Sequence, residues 1–186
     1  MSAGTNTRTV SLTVEHQKMS EWCWAAVSVS VDRFFRPAST HTQCDIAGAT
    51  LKVECCASGT PAPPAQCNTP EALHPVLGRL HLLAADPIVK PLSFADVQKQ
   101  IDTGNPVCVL IKWLDKQGKV GDRGHFIAIS GYRVTPLGKQ FVSITDPFYG
   151  ASEIDFTQFS SPQGGYRDGH GVWFASFLVD NEAARS

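Results

Sequence analysis

The chain has 186 residues, 42% of them hydrophobic and 18% charged, with a formal net charge of −1. A chain of that length can bury a core without help from disulfides, and that composition excludes a disordered one. The small net charge gives no long-range attraction for nucleic acid or an anionic membrane, and no run approaches the roughly 18 apolar residues of a membrane span.

The start, Met1 to Arg8, has no apolar stretch of the kind a secretory signal peptide carries. The protein then stays inside its cell, leaves by a route without such a signal, or has been trimmed. Residues 8–14 alternate apolar and polar, the pattern of a short strand packed on one face. Ser20 is a good N-cap, and Glu21 suits the first turn of a helix. That start makes Cys23 about the third helical residue. Trp22, Ala25, Ala26, Val27, Val29, Val31, Phe34 and Phe35 ring the axis with apolar groups, so the helix is buried and central. Arg36-Pro37 ends it. A second helix is expected from Gln43 to about Val53. Residues 55–69, rich in Cys, Pro, Gly and Ala, form a loop that something must hold in place. Thr69 and Pro70 open a third helix, and Ser93 caps a fourth from Phe94 to Asp102.

The second half reads as strands. Pro106–Trp113 is a continuous apolar run, which predicts burial on both faces. Further strands are expected at His125–Val134, Gln140–Thr145, Glu153–Phe156 and Val172–Val179, with a turn over Asp146–Gly150. The expected fold class is therefore α+β in a single domain: a helical lobe over about 15–92 and an antiparallel sheet lobe over about 93–180.

The chemistry centres on Cys23. A cysteine attacks as its thiolate, and helix N-termini and neighbouring imidazoles favour that form. His125 follows Gly124 at the mouth of an apolar strand, where a polar ring faces a cleft. The next strand ends in Asp146, so antiparallel pairing brings the acid beside the base. A carboxylate there holds the imidazole in the working tautomer and orientation. Gln17, six residues before Cys23, supplies an amide donor that can join the Cys23 backbone N–H in an oxyanion hole. His170 also precedes a strand, but no acid follows it at a suitable interval. Cys108, inside a strand, reads as core. Trp22 and Trp24 read as packing that fixes the helix.

Gln17-x5-Cys23-Trp-Ala, a late Gly124-His-Phe126 strand and Asp146-Pro147 together resemble the papain-like cysteine peptidases. The closer resemblance is to their bacterial secreted branch, which includes plant-pathogen effector peptidases and toxin domains. It extends to Trp22-Cys-Trp-Ala-Ala26, Gln43-Cys44, Cys55-Cys56 and Cys67-Asn68, and runs from about Gln17 to Trp173. The resemblance implies Cys23 as nucleophile, His125 as general base and then acid, Asp146 as orienting acid and Gln17 as oxyanion donor. It implies an active-site cleft between the two lobes. It also implies a secreted protein or one delivered into a target cell, acting on a protein or peptide substrate. A toxin of this kind needs an immunity or inhibitor protein. A monomer is expected, without cofactor or metal and without nucleic-acid or membrane partner. Plant papains carry asparagine where this chain has Asp146.

Cys44, Cys55, Cys56 and Cys67 form a cluster. A bond between the adjacent Cys55 and Cys56 would be strained. That leaves Cys44–Cys55 with Cys56–Cys67, or Cys44–Cys56 with Cys55–Cys67. A zinc site would want Cys-x2-Cys pairs, which this spacing lacks. Other functions share the thiol, imidazole and carboxylate: transglutaminase-like acyl transfer, cell-wall amide hydrolysis, or an inactive binding module that retains the set as a relic.

Overall fold

The computed structural model describes residues 5–56 and 64–181. Among them are five α-helices and six strands: β1 Asn6–Thr9, α1 Cys23–Phe35, α2 Gln43–Leu51, α3 Leu73–Arg79, α4 Phe94–Asp102, β2 Val107–Leu114, β3 Val120–Val134, β4 Gln140–Asp146, β5 Gly150–Asp155, α5 Phe156–Phe159 and β6 Gly171–Leu178. All the strands join one sheet of order β5-β4-β3-β2-β6, antiparallel throughout, with β1 added along β3. This is the α+β class.

The middle of the sheet is buried on both faces, which is why β2 reads as an apolar run from Val107 to Ile111. Cys108, Phe126, Ala128, Ala175 and Phe177 pack with α1, α2 and α3. Their strand neighbours Val107, Val109, Ile111, Ile127, Ile129 and Trp173 pack with α4 and α5. The alternation along each strand thus feeds two cores. Helix α1 is the centre of the first, and every residue from Cys23 to Asp32 is buried.

Several element boundaries differ from the sequence expectation. The ladder of the first strand covers Asn6–Thr9, not 8–14. Leu12 and Val14 are still buried, so that alternation reports packing of an extended segment without a ladder of its own. Helix α1 starts at Cys23, with Trp22 at the N-cap position and no side-chain cap bond. Ser20 does not cap it, because its hydroxyl is taken by Asn68 Nδ2 at 2.8 Å. Helix α2 ends at Leu51 and opens on a capping box between Thr42 and Asp45. Helix α3 begins at Leu73, three residues after Pro70. Strand β3 starts at Val120, so His125 lies within a strand and not at its mouth.

The cysteine cluster forms two disulfides, Cys44–Cys56 and Cys55–Cys67. They tie the start of α2 to the segment before α3. The part of the loop at 57–63 lies outside the described residues.

Candidate active site

Cys23 is the first residue of α1, so its N–H belongs to the amides a helix leaves without an internal partner. The residues around it are pinned by the disulfide-held segment 67–69. Trp22 Nε1 donates to Cys67 O at 2.6 Å, and Trp24 Nε1 donates to Thr69 O at 3.0 Å. The Glu21 N–H donates to Asn68 Oδ1 at 2.9 Å. Both indoles are fully buried, as expected of packing that fixes the helix.

His125 and Asp146 come from paired strands. The ladder of β3 and β4 begins at Ala128↔Thr145, three residues from His125 and one from Asp146. His125 Nε2 lies 3.0 Å from both Oδ1 and Oδ2 of Asp146. Cys23 lines the same pocket as the imidazole. Burial pushes the His125 pKa down. The hydrogen bonds to Asp146 and Cys23, with the charges of both, more than offset that and raise it to about 9. Gly124 allows the close approach of β2 here: a Cβ on it would lie 2.8 Å from Leu110 Cδ1.

Asp146 is more heavily bonded than its sequence context suggested. Besides His125 it accepts the Phe148 N–H at 2.7 Å and the Tyr149 N–H at 2.8 Å, which closes the turn after β4. The Tyr166 hydroxyl donates to its Oδ2. Burial pushes the carboxyl pKa up, but His125, Tyr166 and the Tyr149 amide outweigh it and hold it below the usual carboxylate range. Burial and the Asp146 charge raise the Tyr166 phenol far above its ordinary value, so it stays a donor.

Gln17 is 5% exposed and close to both halves of the site. Its backbone N–H donates to Pro147 O at 2.9 Å, which joins it to the turn after Asp146. Its side-chain Nε2 donates to Met19 O at 2.9 Å and Ser20 O at 2.7 Å, and its Oε1 is buried without a partner. Both amide hydrogens are therefore engaged, and serving an oxyanion requires one to leave its carbonyl. Gln43, fully buried at the start of α2, braces the same segment. It donates to Glu15 Oε2 and His16 O and accepts the Lys18 N–H.

A pocket of about 410 Å³ lies at this junction, lined by Gln17, Ser20, Glu21, Cys23, Trp113, Arg123, Gly124, His125, Phe148 and Tyr149. Three of the four site residues named from sequence, Cys23, His125 and Gln17, line it, and the fourth, Asp146, backs His125. Phe148 and Tyr149 are half exposed at its rim. Cys108 and His170 are not among the lining residues. Burial pushes the Cys108 thiol up to about 12, and His170 is exposed beyond the end of β2.

Sequence reasoning missed Trp113 and Tyr166. Trp113 stacks on the imidazole, 6.1 Å between ring centres and 25° between planes, and also stacks on Tyr166. A tryptophan ending the strand beside His125 was the available signal, since Ile111 pairs with His125. Tyr166 gave none, lying in a glycine-bearing loop. Arg167 lies over the Tyr149 and Tyr166 rings at 4.3 and 5.1 Å and ties that loop to the site.

No family model matches the chain, and no curated protein matches it.

Proposed function

We propose that this protein is a cysteine peptidase of papain-like fold that hydrolyses peptide or isopeptide bonds. The observation that carries the reading is His125 held by both oxygens of Asp146 at 3.0 Å in a pocket that Cys23 lines from the start of α1. In this reading the pocket at that junction is the active-site cleft between a helical and a sheet lobe.

The Cys23 thiolate attacks the scissile carbonyl carbon, and the carbonyl electrons move onto oxygen. The Cys23 N–H and Gln17 Nε2 hold that oxyanion. As the tetrahedral intermediate collapses, the C–N bond breaks and the His125 imidazolium gives its proton to the leaving amine. This leaves an acyl thioester on Cys23 and a neutral imidazole. His125 then takes a proton from water, whose oxygen attacks the thioester. The carboxylic product leaves, and the thiolate and imidazolium are restored. Asp146 keeps Nε2–H occupied, so the other ring nitrogen faces the thiol and the substrate. The raised His125 pKa supports this role, because the proton needed for the leaving amine is present at neutral pH.

Two disulfides are compatible with a secreted protein. Delivery as a bacterial effector or toxin, with a protein substrate and an immunity partner, is part of the same proposal and draws on the sequence resemblance. The test is cleavage of a peptide library by the wild type and by Cys23→Ala. The wild type should cleave, and the folded variant should not. Equal cleavage by both would sink the mechanism.

A further inference from the structure

Two charged side chains other than the catalytic pair line the pocket, and they face each other across it. Arg123 Nη2 lies 3.6 Å from Glu21 Oε1. Glu21 stands two residues before Cys23, and Arg123 stands two residues before His125. The pair therefore shares the pocket with Cys23 and His125, beside the place where the scissile bond would lie.

The two partners differ in freedom. The Glu21 backbone is anchored by Asn68, and its side chain is 33% exposed. The Arg123 side chain is 85% exposed, and Glu21 is its one ion-pair partner among the described residues. An exposed pair of this kind contributes little to stability, so it opens easily. A guest cation that displaced Arg123 would leave the guanidinium in water. It would meet a carboxylate on an anchored backbone that the bound peptide further shields, where the attraction is stronger. An acidic guest on Arg123 would instead cover Glu21 and leave its charge without a partner.

We propose that Glu21 is a substrate-recognition residue that takes a lysine or arginine side chain at a substrate residue next to the scissile bond, with Arg123 holding its place in the free protein. This rests on the peptidase reading above and names its substrate class.

The test uses the full chain and a randomised peptide library read by mass spectrometry, followed by matched peptides that differ by Lys, Ala or Glu at the residues flanking the cut. The wild type should favour Lys over Ala by about tenfold or more in kcat/KM, as a hydrogen-bonded charge does. Glu21→Gln should collapse that ratio, and Arg123→Ala should lower KM for the Lys peptide. Cleavage without charge preference, preference for Glu, or an unchanged ratio in Glu21→Gln overturns the inference and leaves the peptidase reading standing. If the wild type cuts nothing, the peptidase reading fails, and calorimetric binding of amidated Lys and Ala peptides to Cys23→Ala still decides the inference. Tighter Kd for Lys, lost in the added Glu21→Gln, supports it, and equal Kd overturns it.

Discussion

Cys23 and His125 face one another from two regions that are held by different means. The side of the proposed nucleophile is a helix start anchored by bonds between side chains and backbone: Trp22 and Trp24 to Cys67 and Thr69, and the Glu21 N–H to Asn68. Its anchor is itself stapled by the Cys55–Cys67 bond. The side of the proposed base is held by a strand ladder. β2 pairs with β3 through His125, β4 pairs with β3 from Ala128 to Val134, and Asp146 sits at the end of β4 with its oxygens bonded from several directions. A sheet supplies alignment through many equivalent bonds, each of which can be lost without moving its neighbours. A capped loop supplies it through a few bonds that stand or fall together. The contrast predicts that the base side resists perturbation and that the nucleophile side depends on covalent support.

Removing the chemistry on the well-braced side should have the largest effect. His125→Ala should cost on the order of 10²–10⁴ in kcat without unfolding the sheet, read by steady-state kinetics beside a thermal melt. A loss under tenfold would make His125 a spectator.

Gln17→Ala tests the seam between the two regions and should cost about 10²–10³ in turnover. A loss of less than about threefold would mean that Gln17 Nε2 stays with Met19 and Ser20 and never serves the oxyanion.

The staple comes next. Replacing Cys55 and Cys67 together by serine should lower unfolding free energy by roughly 2–4 kcal/mol in a denaturant titration. The kcat/KM of the folded variant should fall with it, because Glu21 and Trp22 lose a fixed anchor. Unchanged kcat/KM in the folded variant would show that the nucleophile side stands without its covalent support.

The smallest effect belongs to Tyr166→Phe. In the wild type, activity should decline as pH rises through about 9, where the imidazolium loses its proton. The Tyr166 hydroxyl draws on the same carboxylate charge that holds the imidazolium. Its removal leaves more of that charge to His125 and should move the alkaline limb of the kcat/KM profile upward, with a stability cost of about 1.5–3 kcal/mol. A limb that stays in place would reduce Tyr166 to packing. The stability linkage follows the same signs. The raised His125 pKa contributes stability that is full below the ordinary value of 6.5 and is lost as pH rises through about 9. The lowered Asp146 pKa contributes above its ordinary value of 3.8, and that contribution is lost as pH falls through the folded value.

The sequence by itself determined the α+β class, the apolar helix behind Cys23, the Ser93 cap and extent of α4, and the strand spacing that joins His125 to Asp146. These rest on periodicity, caps and turns, which neighbouring residues encode among themselves. It also narrowed the disulfides to two pairings. Only the tertiary structure decided between them, and only it joined Tyr166 to Asp146, Trp113 to the imidazole and residues 67–69 to the indoles around Cys23. Those partners lie twelve to forty-five residues apart. Loop closure and the packing of two cores onto one sheet select them, and no local pattern carries that information. The start of α1 shows the same division. The sequence placed Ser20 as its cap, but Asn68 took the Ser20 hydroxyl, and the helix begins at Cys23 itself.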